Sequence, residues 1–118
     1  MSQESEKVIG SAQAAPTSES GRTYSVEGLQ QKIKTWADGI YPDRTSAGAL
    51  VKMVMEEIPE LLNGGLDDPL EWADVLILLI DASALRGIDI VRAAWEKMDI
   101  NEKRFWAIDP DTGLLHHV

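Results

Sequence analysis

Residues 56–83 read EEIPELLNGGLDDPLEWADVLILLIDAS. The fold turns on whether the aliphatic run Val75 to Ile80 is a buried strand or part of a helix. Composition alone suits either. Length and caps decide for helix. Asp68 is a good N-cap, and Pro69 falls at the first helical position, where its missing N–H costs nothing. The segment continues to Arg86 and meets Gly87, a residue suited to ending a helix. It is apolar nearly all round, which predicts the most buried helix of the chain. Upstream, Asn63-Gly64-Gly65 ends a preceding helix.

That preceding helix starts after Thr45-Ser46 and runs to about Leu62, with Leu50, Met53, Val54, Ile58 and Leu61 as its apolar stripe. Pro59 lies inside it and should kink it or weaken its last turn. An earlier helix spans about Ser25 to Ile40, where Val26, Leu29, Ile33, Trp36 and Ile40 recur at steps of three and four. A fourth begins at the N-cap Asp89 and runs to about Phe105; Asp109 to Gly113 is a turn, followed by a short tail. Residues 1–22 are rich in Ser, Gln, Glu and Ala without helical or strand period, and read as a weakly ordered tail. The folded domain is expected over residues 23–118. The class is all-α, a four-helix bundle. So short a chain makes a thin core, and association is one remedy, so a homodimer or homotetramer is expected.

The totals narrow the function. The chain has 118 residues, no cysteine and a formal net charge of −9. No thiol can act as nucleophile or metal ligand. Polymeric DNA or RNA would be repelled, because no basic patch offsets the charge. The acidic start lacks the basic and apolar regions of a secretory signal, and no apolar run approaches the roughly 20 residues that span a bilayer. A cytoplasmic protein with no membrane association is expected. An acidic protein can still take an anionic small molecule if a cation bridges the two.

The acids are unusually placed. Glu56, Glu57 and Glu60 lie on the second helix, and Glu71, Asp74 and later Asp81 on the third. Residues three or four apart share a helix face, so Glu57 faces with Glu60 and Glu71 with Asp74. Asp81 stands two turns beyond Asp74 on the same face. Like charges at these spacings destabilise a helix by roughly 0.2–0.5 kcal/mol per pair. Next to apolar runs they are costlier still, unless paired or bound to metal. No Lys or Arg stands at a helical spacing that neutralises both groups, so a shared cation is the direct resolution. All candidate ligands are oxygens, which favours Mg²⁺ or Mn²⁺ over Zn²⁺ or a di-iron centre. A lone Glu-x-x-Glu is usually a solvated face; two such groups flanking a short loop are not.

Glu56-Glu57-Ile58-Pro59-Glu60 followed by Glu71-Trp72-Ala73-Asp74 resembles the EExxE…ExxD signature of MazG-like all-α nucleoside triphosphate pyrophosphohydrolases. The resemblance covers about residues 45–106 and includes EWADVLILLIDAS, LRGID and KMDINEKRFW. Within the family the chain most resembles the dATP/dGTP pyrophosphohydrolase branch, which includes phage MazZ-type enzymes. The ten residues Leu61 to Leu70 between the motifs suit a compact member. The resemblance implies a MazG-like bundle. It also implies cleavage of a purine deoxynucleoside triphosphate between its α and β phosphates, giving monophosphate and pyrophosphate.

By the same resemblance, Glu57, Glu60, Glu71 and Asp74 are the metal ligands, and Glu56 joins Glu57 as a catalytic candidate. More than one Mg²⁺ or Mn²⁺ per site is expected, since the carboxylates exceed what one ion and a substrate require. Lys97, Asn101 and Arg104, at steps of four and three on the last helix, are implied phosphate and sugar contacts. Asp81 stands where many relatives carry Asn, which leaves metal, sugar or base contact open. Lys52, a turn before Glu56, can also reach phosphate, and Trp36 offers the flat apolar surface a purine needs. A pyrimidine triphosphate such as dUTP or dCTP, or phosphoribosyl-ATP, is an alternative substrate. A helical assembly module with a structural metal site is the alternative from another class.

Overall fold

The computed structural model describes residues 24–118. The expected tail over residues 1–22 lies outside them. The first helix, α1, is Val26–Ile40. The second rod has three stretches: α2 Ser46–Lys52, a π-helical turn Met53–Glu57, and α3 Ile58–Leu62. Then come α4 Pro69–Ala84 and α5 Ile90–Asn101, and a β-hairpin pairs β1 Trp106–Ile108 with β2 Leu115–His117.

The caps sit where the chain provides short polar side chains. Ser25 Oγ accepts from the N–H of Gly28, Thr45 Oγ1 from Gly48, and Asp68 from Leu70, while Asp89 accepts from Arg92. Each satisfies a donor that the first helical turn leaves orphaned. At the far end of α4, Gly87 has φ 71°. Its N–H donates to the Ala84 carbonyl and that of Ile88 to the Ser83 carbonyl, the two bonds of a Schellman stop.

Pro59 acts differently from a plain kink. It has no N–H for the carbonyl of Met55, which an α-helix would require. The chain responds one turn earlier by widening into the π turn, in which the Ile58 N–H donates to the Met53 carbonyl. The rod therefore continues to Leu62.

Helix α4 is the hub, packing against α1, all three stretches of the second rod, and α5. The core is small: Ile33, Ala37, Leu61, Ile80 and Ala82 are buried. With Ile80, Asp81 and Ala82 buried, α4 holds more buried residues than any other described helix, as its composition predicts. Leu70 at 73% and Met55 at 70% exposure, with Trp72 and Leu76, leave apolar surface beside the acid-bearing turns.

The last helix stops at Asn101, four residues before the expected end near Phe105. The Arg104 N–H donates to the Asn101 carbonyl, and Trp106 Nε1 donates to that same carbonyl at 2.8 Å. These bonds turn the chain into β1. The hairpin ends on the expected turn. Asp109 Oδ1 accepts from the N–H groups of Asp111 and Thr112, and Gly113 takes φ 73°. Strands of three residues are too short to show a period of two, so this small sheet, absent from the all-α reading, left no pattern in the sequence.

Candidate active site

The second rod and α4 are antiparallel arms joined by the turn after Leu62. Glu57 and Glu60 rise from one arm, Glu71 and Asp74 from the other. Glu57 is buried, at 9% exposure, and Glu71 is half-buried, whereas Glu56, Glu60 and Asp74 are open to solvent. The groups feel one another across the gap. Partial burial, then Glu60, Asp74, Asp68 and Glu57, hold the Glu71 carboxyl above its ordinary range. Burial and then Glu57 push Asp74 up, against a smaller opposing pull from Lys52. Acids of the second rod that raise the proton affinity of Glu71 and Asp74 on α4 lie near them, so the two motifs converge.

Gly65 permits this approach. A methyl group there would meet the Glu60 carbonyl oxygen at 2.9 Å, and Glu71 Cγ and Leu61 Cα each at 3.1 Å. The bare backbone of Gly65 is thus wedged between the two acid-bearing segments, a role hidden within the generic turn signal Asn63-Gly64-Gly65. Gly65→Ala is expected to cost about 1–3 kcal/mol, the range for overpacking. It should also spread Glu60 from Glu71. Urea denaturation and Mn²⁺ titration check the two effects; unchanged Mn²⁺ affinity would remove Gly65 from the site.

Lys52 is engaged by the first acid group. Its ammonium donates to Glu56 Oε1 at 2.9 Å and to Glu57 Oε2 at 2.8 Å. The first is an ordinary i,i+4 pair. The second spans five residues, a step that an α-helix turns away and the π turn brings back over the starting residue. The two acids in turn push the Lys52 ammonium further above its usual range. A cation is therefore available to the first acid group, though it forms no ion pair with Glu60, Glu71 or Asp74.

The sequence leaves Asp81 open among metal, sugar and base contact. It is buried instead under Arg44, whose Nε donates to Oδ2 at 2.6 Å and Nη2 to Oδ1 at 2.8 Å. Arg44 Nη1 also donates to Asp38 Oδ1 and to the Tyr41 carbonyl, tying the α1–α2 loop to α4. Ser46 Oγ donates to the Ala82 carbonyl beside this clamp. Sequence reasoning missed Arg44, because its partner lies 37 residues away and no helical spacing links them.

Lys97 is exposed on α5, and Arg104 lies in the turn beyond it, so the three expected contacts do not share one helical face. Asn101 closes α5, and its Oδ1 is buried without a hydrogen-bond partner among the described residues. Trp36 is 60% exposed on α1. None of the four is hydrogen-bonded or ion-paired to the acids.

The donor set fits a hard divalent cation, since every side chain is a carboxylate and Glu71 and Asp74 of α4 have no ion-pair partner among the described residues. Among the described residues no three acids are drawn tightly enough to enclose an ion. Coordination requires the exposed Glu60 and Asp74 side chains to turn inward. Glu71 and Asp74 also hold a proton more firmly than ordinary carboxyls do, so acid competes with metal for them more strongly. Because both pKa values are raised by folding, the two groups favour the metal-free folded state more as pH falls through their folded values. Metal binding needs the ionised forms and weakens over the same window. Mn²⁺ affinity followed by calorimetry is expected to fall as pH drops from neutrality into the raised carboxyl range of Glu71 and Asp74, with proton release on binding there; an affinity that stays constant until the protein unfolds would exclude both as ligands.

Comparison with known proteins places these features. The sequence profile described as dATP/dGTP pyrophosphohydrolase matches residues 29–117. A dATP/dGTP diphosphohydrolase of Salmonella phage PMBT28 is 40% identical over 128 residues, covering 92% of this chain. The chain spans only 43% of that relative's length. A dATP/dGTP diphosphohydrolase of cyanophage S-2L is 41% identical over 95 residues, covering 80% of this chain and 89% of the relative. In structure, the chain is similar to the cyanophage S-2L MazG-like pyrophosphohydrolase, solved with dGDP and three catalytic Mn²⁺ ions per active site. The TM-score is 0.72 at 40% identity, over 81% of this chain and 99% of the other. With the fold, the profile match and the paired acid motifs in agreement, the chain belongs to the dATP/dGTP pyrophosphohydrolase family.

Proposed function

We propose that the protein is a metal-dependent pyrophosphohydrolase that cleaves dGTP or dATP between the α and β phosphates. The observation that carries this reading is the convergence of Glu57 and Glu60 with Glu71 and Asp74 on two facing helices. The relatives support it, being named for dATP and dGTP; the solved one holds dGDP with three Mn²⁺ ions.

In this reading Glu57, Glu60, Glu71 and Asp74 hold two or more Mg²⁺ or Mn²⁺ ions. When bound, the ions neutralise the triphosphate and acidify the attacking water. Glu56, exposed at the rim, would orient the water and take its proton as the water oxygen bonds to the α-phosphorus and the bridging oxygen leaves with pyrophosphate. Lys52 lies on the same turn as the acids, within reach of a phosphate oxygen. Lys97, Asn101 and Arg104 contact phosphate and sugar, and Trp36 stacks on the base. In this reading a second copy of the chain completes the pocket, so the working form is a homodimer or homotetramer. Two observations support this. No residue of α5 is buried, and apolar side chains flank the acids. No described helix is long and apolar enough to cross a membrane, and we place the enzyme in the cytoplasm, with the free nucleotide pool.

A panel of nucleoside triphosphates with Mg²⁺ or Mn²⁺ tests the activity. Purine deoxynucleoside monophosphate plus pyrophosphate is expected. Diphosphate plus phosphate would overturn the mechanism, and absence of turnover would leave a helical assembly module. Light scattering is expected to give at least twice the 13.0 kDa protomer mass; a monomer that still turns over would overturn the shared pocket.

A further inference from the structure

We propose that Lys52 is the chain's own stand-in for the divalent cation: its ammonium bridges Glu56 and Glu57 while the site is metal-free and is displaced when metal loads. The proposal rests on the reading of these acids as the metal site. Three observations carry it. First, the ammonium makes short contacts to two carboxylates at once, 2.9 Å to Glu56 and 2.8 Å to Glu57, one of which is the buried ligand candidate. Second, Lys52 also acts on Asp74 from across the gap, opposing the upward push of Glu57 on that acid. The field of the one ammonium thus reaches acids of both motifs. Third, the Lys52 side chain is 49% exposed against 11% for Glu57. The acid is fixed, while the ammonium, on a flexible four-carbon stem, can leave for solvent or for an incoming phosphate.

The stand-in has a physical purpose. A buried carboxylate without a partner is costly, so Glu57 needs a cation whether or not metal is present. The Lys52 ammonium supplies that partner at 2.8 Å, with none of the geometric demands of a divalent ion. The π turn makes this possible by stacking residue 57 over residue 52. The cost is competition, since metal and ammonium seek the same oxygens.

Lys52→Met keeps the stem and removes the charge. Mn²⁺ binding without nucleotide, measured by calorimetry, is expected to tighten by at least about fivefold, the lower end of ordinary coupling between two sites. The chelated, metal-free variant is expected to melt about 4–8 °C below the unaltered protein, and Mn²⁺ should close that gap. Lys52→Arg, which keeps a cation, should resemble the unaltered protein in both measurements. If Lys52→Met binds Mn²⁺ with equal or lower affinity, the stand-in is overturned while the metal site stands. If neither protein binds Mn²⁺, the metal-site reading fails and takes the stand-in with it.

Discussion

Glu57→Gln is expected to give a folded protein that no longer hydrolyses nucleotide, with kcat/KM lowered by at least about 10³-fold, as for the loss of a principal electrostatic group in an active site. Among the carboxylates at the site only Glu57 is buried, so it carries most of the low-dielectric charge available to a cation. The amide keeps the shape and one carbonyl oxygen but not the negative charge. Lys52 keeps its second partner, Glu56, so the local structure retains an ion pair. Asp74→Asn, on the opposite arm, is expected to act alike, because each arm supplies half of the ligand set. Melting temperature should change by only a few degrees in either variant, and excess Mn²⁺ should restore little. Hydrolysis at an ordinary rate in either variant would refute the ligand assignment, and loss of helicity would mean that the rate reports folding instead.

The sequence made the elements legible wherever a local signal existed. Asp68-Pro69, Asp89 and Gly87 mark helix ends by chemistry that acts within a few residues, and the structure uses them as read. The two acid groups were legible for a similar reason, since helical spacing fixes which side chains share a face. What escaped notice was non-local or came from a conformational exception. Arg44 finds Asp81 only once α4 has packed against the α1–α2 loop. Lys52 reaches Glu57 only because Pro59 forces a π turn, which shifts the facing residue from i+4 to i+5. The carbonyl of Asn101 captures both Arg104 and Trp106, which ends α5 early for reasons no periodicity records. Gly65 reads as a helix breaker, and only the packed turn reveals that its missing side chain is needed.

Asp81→Ala is expected to destabilise the protein by about 3–5 kcal/mol, the usual result of removing one partner from a buried ion pair. The Arg44 side chain is 10% exposed, and Asp81 accepts two of its N–H groups in parallel; without that acid the guanidinium keeps only Asp38 and the Tyr41 carbonyl. Equilibrium urea denaturation measures the loss. The double variant Arg44→Met with Asp81→Leu fills the same space with apolar side chains, and such exchanges are often neutral or stabilising. Stability is therefore expected to return in the double variant. Activity then decides what Asp81 is for. If it only anchors the loop to α4, hydrolysis of dGTP and dATP recovers together with stability, which is the outcome the geometry favours, since both oxygens are engaged. If stability recovers while KM for the nucleotide stays raised, Asp81 meets the substrate after all, and Arg44 must release it during the reaction.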